Sequence, residues 1–283
     1  MPDLWTHIVG GDMVIKEIED RALYELLVEN RKFYNFGTQG PDFFFYNDFW
    51  PWIKDKKGPD IGTLLHDKKQ ANFLANSFEL LKEEEGSKNY PFALSYFVGV
   101  ITHFLLDKYF HEVIDQKTNN GVEHKRFELE LDSLLVKRYF NKECYKINPK
   151  TYIKTNDKLN SLIVDIYYYN ITKLHDHYLQ IDLINKSYQN MLKVHEILYS
   201  PFKVKAYIFK FLDRFLSLNL HQYIYANIDN YMYLNKPVFD EIYSLFPQFI
   251  SESINIIEYF TLYLKNKKDK QELLKLIEPH FNV

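Results

Sequence analysis

Histidine and aspartate recur at one helical spacing inside an apolar run. His103, Asp107 and His111 stand at i, i+4 and i+8. At about 100° per residue each step drifts by roughly 40°, so the three share one side of a helix. Tyr96, Val100 and Ile114 continue the same stripe, on a face that should belong to the core. An unpaired carboxylate buried there is costly, and something must compensate it. A metal ion would, because imidazole and carboxylate are zinc's ligands where thiolates are absent. Taken alone, one buried His–Asp pair inside a helical bundle has a plainer explanation, a hydrogen bond.

Further candidates weigh against an isolated pair. His124 and Glu128 form a second i, i+4 pair. His66 is followed by Asp67, Asp42 closes a Gly-Pro-Asp segment, and His7 sits in an aromatic N-terminal stretch. Five of the ten histidines thus fall in the first 124 residues. The other five carry less. His175 and His177 are i, i+2 and would point to nearly opposite sides of a helix, as surface residues do. His195, His221 and His280 have no partner at a useful spacing. Gly-x-Ser-x-Gly and phosphate-binding Gly-rich loops are both missing, which argues against serine-nucleophile and nucleotide-binding chemistry.

The elements that must position these residues are helices. Glycine and proline are sparse and concentrated in the first 125 residues, which places irregular loops early. Spacing predicts helices over 13–30, 63–85, 90–116 and 123–140, with loops over 36–46 and 50–62 and a turn over 117–121. From about 155 the pattern is again helical, over 157–197 with a break, 201–225, 237–245, 247–265 and 268–279. Pro201, Pro237, Pro247 and Pro279 fall at or near these boundaries. No β-alternation, repeat or low-complexity segment is evident. The expected fold is all-α, with residues 1–150 as a metal-binding catalytic part. Residues 151–283 are expected as C-terminal helices packed on it into one globular unit.

Composition bounds the function classes. Of 283 residues, 46% are apolar, enough for a sizeable core. A formal net charge of −3 supplies no global field for a nucleic-acid backbone, which makes a nucleic-acid partner the lesser expectation. The single cysteine, Cys144, excludes a multi-cysteine zinc site and an internal disulfide. No signal peptide is evident at Met1–His7, so a cytoplasmic location is expected, or a secreted one if a leader was omitted. The apolar stretch Pro91–Leu106 is short for a membrane span and reads as a buried core helix, so no transmembrane segment is expected. The 23 Tyr and 23 Phe residues are expected mainly in the core. The charged run 265–270 reads as a solvated helix connection.

Five motifs together resemble the bacterial zinc-dependent phospholipase C family, related to the fungal zinc-dependent single-strand nucleases. They are Pro-Asp-Leu-Trp-Thr-His at 2–7, Gly-Pro-Asp at 40–42, Leu-His-Asp at 65–67, His-Phe-Leu-Leu-Asp at 103–107 and His-Lys-Arg-Phe-Glu at 124–128. The resemblance covers roughly residues 1–132. It implies a multi-helix phospholipase C/P1 nuclease-like domain holding two or three Zn2+ ions, with additional C-terminal helices. By resemblance, Asp42, His66, His103 and Asp107 would hold one ion. His7 and Asp107 would hold a second, with Asp107 bridging, and His111, His124 and Glu128 a third. Two departures stand out. Secreted members use the amine and carbonyl of an N-terminal tryptophan, whereas Trp5 here is internal, so the ion at His7 is expected to be weak, differently completed or absent. The step from Asp107 to His111 is also shorter than in the best-known members.

The implied activity is hydrolysis of a phosphoric ester, with a small phosphoester or phospholipid head group as partner. Asp42 is the candidate catalytic residue, orienting or deprotonating the attacking water; its alternative role is as a turn residue after Pro41. Asp67, Glu123 and Asp132 are candidates to orient the histidines from behind. Trp5, Phe43, Phe44, Tyr46, Trp50 and Trp52 would wall a pocket or, more plainly, pack in the core or its rim. A nuclease-like phosphodiesterase on the same scaffold is one alternative, and a non-catalytic metal-stabilised interaction module another. His66-Asp67 also resembles the HD phosphohydrolase dyad, but the surrounding order of His and Asp does not match it.

Overall fold

The apolar segment that carries His103 forms the axis of the protein. The computed structural model describes residues 4–50, 53–67, 69–119, 121–216, 223–225 and 233–281, which are all-α with no strand among them. Helices α1 (Leu4–Lys16), α2 (Arg21–Glu29) and α3 (Arg31–Gly37) open the chain, followed by a 3-10 helix over Gly40–Tyr46. Next come α4 (Lys57–Asp67), α5 (Gln70–Glu83), α6 (Tyr90–Lys117) and α7 (Gly121–Phe140). A short α8 (Lys150–Ile153) leads to α9 (Ser161–Tyr169), α10 (Asp182–Leu198) and α11 (Val204–Leu216). The last three are α12 (Lys236–Tyr243), α13 (Phe246–Leu264) and α14 (Lys270–Ile277).

Helix α6 is 28 residues long and starts with Pro91 in its first turn, where the missing N–H costs nothing. Every residue from Ala93 to Asp107 is buried, as expected of a helix that is apolar all round. Its length and composition would also suit a membrane span, but 83% of its most apolar window is buried inside the protein. Helix α3 lies directly on it. A Cβ on Gly37 would come within 2.0 Å of the Tyr96 carbonyl oxygen, and one on Gly99 within 2.5 Å of the Tyr34 carbonyl oxygen. The Tyr34 hydroxyl then donates to the Gly11 carbonyl at 2.9 Å, tying α1 to the same pair.

One buried cluster runs from Leu4 to Phe281 and draws residues from both sides of position 150. Tyr167 of α9 packs against Phe43 and Phe97, and Phe260 of α13 against Phe78 with ring centres 4.1 Å apart. A small satellite cluster centred on Ala206 and Ile224 carries α11.

Several boundaries differ from those the sequence pattern predicts. The helix expected over 13–30 is two helices, because Asp20 caps α2 by accepting from the Ala22 and Leu23 amides at 3.1 and 3.2 Å. The expected loop at 36–46 is mostly a 3-10 helix with Pro41 in its first turn, and α4 begins within the expected loop 50–62. The helix expected over 63–85 breaks at Lys69, whose φ of 57° is left-handed. The stretch 157–197 is interrupted by a π turn at Asn170–Leu174 before α10 resumes, and α11 is shorter than the expected 201–225. Pro51, Trp52 and His221 lie outside the described residues.

The close approach of α3 and α6 gives a direct test. Gly37→Ala and Gly99→Ala must push backbone off backbone and are each expected to cost about 1–3 kcal/mol. Gly121→Ala, which meets nothing within 4 Å, should leave thermal unfolding nearly unchanged. Equal melting temperatures for all three variants and the parent would refute this packing.

Candidate metal centre

Four elements deliver side chains to one point. Helix α6 carries His103 and Asp107 one turn apart, α1 carries His7, the end of α4 carries His66, and the first turn of the 3-10 helix carries Asp42. The ring of His103 is fixed from behind. Its Nδ1 donates to the Thr38 carbonyl at 3.2 Å. Gly40, at φ 51°, passes so close that a Cβ there would lie 2.0 Å from His103 Cδ2. The Nδ1 of His66 likewise donates to the Gly62 carbonyl at 2.7 Å. With Nδ1 committed, each neutral ring turns a bare Nε2 inward, and these two nitrogens are 3.1 Å apart.

Carboxylates crowd the same spot. Asp42 Oδ1 lies 3.1 Å from His66 Nε2 and 3.8 Å from His103 Nε2. Asp107 Oδ2 lies 3.3 Å from His103 Nε2 and 3.7 Å from His66 Nε2, while its Oδ1 lies 3.3 Å from His7 Nε2. The His7 ring lies against His103, ring centres 4.5 Å apart. Both ring nitrogens of His7, both carboxylate oxygens of Asp107 and Oδ1 of Asp42 are buried without a well-aligned hydrogen bond. Such orphans are rare in folded proteins and call for an explanation. Lone pairs converging with no proton donor between them suit a cation, and nitrogen plus carboxylate oxygen suits zinc. Two groups lie within ligand reach, Asp42–His66–His103 and His7–His103–Asp107.

The electrostatics favour positive charge at this point. Burial draws His7 down, but Asp107, with Asp42 and Asp132, outweighs it and leaves the imidazole raised above its ordinary value. Burial acts on His66 likewise, and Asp42 with Asp107 and the Gly62 carbonyl leaves it raised. His103 is different. Burial, reinforced by His7 and His66, brings it down to about 4 despite the two acids, so its ring is neutral and ligand-ready near pH 7. Burial would raise Asp107, but His103, His7 and His66 hold it below the ordinary carboxylate range.

A second group lies at the rim. His111 is one turn beyond Asp107 on α6, yet its side chain is 43% exposed, because the helix is leaving the core there. His124 of α7 faces it with ring centres 5.4 Å apart. His124 Nε2 lies 2.9 Å from Glu128 Oε1, and its Nδ1 lies 3.1 Å from Asp115 Oδ1. Asp115, also 3.6 Å from His111 Nε2, joins His111 and His124 in a third set of ligand atoms within reach of one ion. Sequence reading passed over it, although it continues the series 103, 107, 111 by one more i+4 step.

Other expected residues go elsewhere. Asp132 serves the end of α1. It caps α1, accepting from the Trp5 amide at 2.9 Å and from the Thr6 amide and hydroxyl at 2.7 and 2.6 Å, with Tyr225 at 2.7 Å. The backbone nitrogen of Trp5 is thereby committed to a carboxylate. Glu123 accepts from the Asn119 amide at 2.9 Å, at the surface. Trp5, Phe43 and Phe44 are fully buried core residues. The ring beside His66 is instead Phe45, at 5.6 Å. His195 is buried against Tyr46. His175 is half-buried and His177 exposed, in an irregular segment rather than on a helix.

A cleft of about 370 Å³ reaches both groups, lined by His66, Asp67 and Asp107 at the inner one and His111 at the rim, with Lys108 and His280 beside them. His280, which lacked a partner by spacing, has its Nδ1 2.6 Å from Glu252 Oε1, and Lys108 Nζ is 2.8 Å from the same oxygen. Burial would raise Glu252, but Lys108, Tyr109 and His280 hold its carboxyl below the ordinary value.

A family model described as zinc dependent phospholipase C matches residues 6–177, more than half of the chain. No curated protein and no solved structure matches it.

The cap on α1 positions His7 and is testable apart from any metal. Asp132→Ala leaves two buried amides and two hydroxyls short of an acceptor, and is expected to cost about 2–4 kcal/mol. Asp132→Asn should recover part of that. Urea unfolding of the two variants measures it, and a parent-like midpoint for Asp132→Ala would contradict the role.

Proposed function

Since the chain belongs to the zinc-dependent phospholipase C family, we propose that it is a zinc-dependent phosphoric-ester hydrolase acting on phospholipid head groups. The observation that carries this reading is the set of orphaned inward-facing nitrogens and carboxylate oxygens at the floor of an open cleft. Asp42, His66, His103 and Asp107 would hold one ion. His7 would share Asp107 with it for a second, without help from the Trp5 nitrogen. His111 and His124 would hold a rim ion, completed by Asp115 on one side or Glu128 on the other.

Bound zinc supplies Lewis-acid stabilisation of phosphate oxygens and ionises water near neutrality. The chain's own residues do the rest. Asp42 borders both histidines and is placed to orient or deprotonate the attacking water. Lys108 and His280 present donors to a phosphate in the cleft, and Glu252 holds both in place. An open cleft touching the ligand set favours catalysis over a purely structural metal, which would be closed off by protein. The nuclease-like alternative needs a basic groove beside stacking aromatics; Phe104 and Phe281 line the cleft, but Lys108 is the one lysine or arginine among its described lining residues.

Elemental mass spectrometry on protein purified without added metal should find roughly two or three zinc ions per chain. His66→Ala should lose inner metal and hydrolysis of a soluble short-chain phosphatidylcholine together. Asp115→Ala and His124→Ala should lose rim metal only. A folded parent that takes up no zinc even when it is supplied would sink the reading. Separately, His280→Ala should raise KM for that substrate by roughly tenfold with kcat little changed, as removal of a ground-state contact does; an unchanged KM would remove His280 from the binding site.

A further inference from the structure

Helix α11 presents apolar side chains to solvent along its length. Tyr207 is 69% exposed, Phe211 63% and Phe215 69%, with Val204 and Ile208 on the same stripe and Phe202, 86% exposed, just before the helix. The spacing 204, 207/208, 211, 215 is one helical face. The opposite face, through Ala206 and Phe209, is the one that packs on the satellite cluster. The outward stripe is therefore not the inner face misplaced; the helix is apolar on two sides. Contiguous exposed aromatics of this kind mark an interaction surface.

Charge identifies the occupant. Lys210 and Arg214 flank the stripe on one side and Lys205, whose Nζ donates to the Glu196 carbonyl at 2.9 Å, on the other, with Lys203 preceding the helix and Asp213 its one acid. The stripe thus carries a local positive excess on a chain whose net charge is −3. We infer that α11 is an interfacial helix that docks this protein on an anionic lipid surface. Aromatic side chains would enter the head-group boundary while the flanking cations reach lipid phosphates. A second copy of the chain fits less well. A two-fold pairing of the stripe would set the flanking cations against one another.

The satellite cluster connects this surface to the candidate centre. Tyr145 and Leu198, which pack on the Ala206 cluster, line a pocket together with Tyr46, Phe49 and Lys125. Tyr46 closes the 3-10 helix that carries Asp42, and Lys125 follows His124. The inference deepens the hydrolase reading and rests on it only for what the docked protein would cleave.

Co-sedimentation with vesicles tests it, using phosphatidylcholine alone and phosphatidylcholine mixed with phosphatidylserine. The parent should bind the mixed vesicles, and more weakly as salt rises. Phe211→Glu/Phe215→Glu should abolish binding, with helix content unchanged by circular dichroism because both residues are exposed. Lys210→Glu/Arg214→Glu should weaken it by roughly tenfold or more. His66→Ala should bind like the parent, which separates docking from catalysis: loss of hydrolysis with binding intact leaves this inference standing. Three results would overturn it: a parent that ignores mixed vesicles at low salt, a Phe211→Glu/Phe215→Glu variant that binds as well as the parent, and a dimer in sedimentation equilibrium that this double variant dissolves.

Discussion

Two imidazole nitrogens facing each other at 3.1 Å inside a buried core are the constraint on which the rest of the structure turns. Neither ring can rotate away cheaply. Each has its Nδ1 committed to a backbone carbonyl, and His103 is wedged by the backbone of Gly40. Asp42 and Asp107 close in from the remaining directions. With both rings neutral and no metal bound, this arrangement sets lone pairs against lone pairs in a low-dielectric interior. With one, each contact becomes favourable. The protein thus keeps a locally unfavourable geometry by over-determining it elsewhere, a pattern typical of functional sites.

The over-determination comes from glycine contacts and one carboxylate. Gly37 and Gly99 let α3 meet α6 at backbone distance, which carries the chain through Thr38 and Gly40 against the His103 ring. Asp132, from α7, takes up the first amides of α1 and so sets the depth at which His7 enters the cluster. Neither device touches a proposed ligand directly. Both fix helix ends, and the ligands follow because rigid helices carry them. The same logic explains why residues outside the family match matter. Phe281 packs on Phe104, ring centres 6.4 Å apart, so the chain end that bears His280 is held against the helix that bears His103 and Asp107.

Much of this was legible in the sequence where periodicity and chemistry coincide. The i, i+4 series on α6 and the His124–Glu128 pair on α7 are local, and the helix geometry that brings their members together needs no tertiary information. The meeting of His7, Asp42 and His66 with them is not local; only the shared motifs suggested it. Three kinds of feature escaped. Asp115 is an exposed acid on a charged helix end, and its i+4 step from His111 does not by itself separate it from solvated charge until α7 folds back with His124. Breaks such as that at Lys69 rest on a single left-handed residue with no glycine or proline to announce it. The contact of Asp132 with the end of α1 joins residues far apart in the chain, so its role as a cap has no local signal.

The two groups of ligand atoms differ in a way that follows from where α6 leaves the core. His103 and Asp107 are buried on the part of α6 that runs through the core, whereas His111 and Asp115, one and two turns on, face water. A cation at the inner group meets side chains already in place, so little ordering is lost on binding. At the rim the ligands are solvated and must be immobilised, and His124 is contested by Asp115 on one nitrogen and Glu128 on the other. On the proposed reading, one helix running from dry interior to wet surface would hold an inner ion tightly and an outer one more exchangeably. The cleft opens where these two regimes meet, and a phosphate entering it would find fixed charge on one side and adjustable charge on the other.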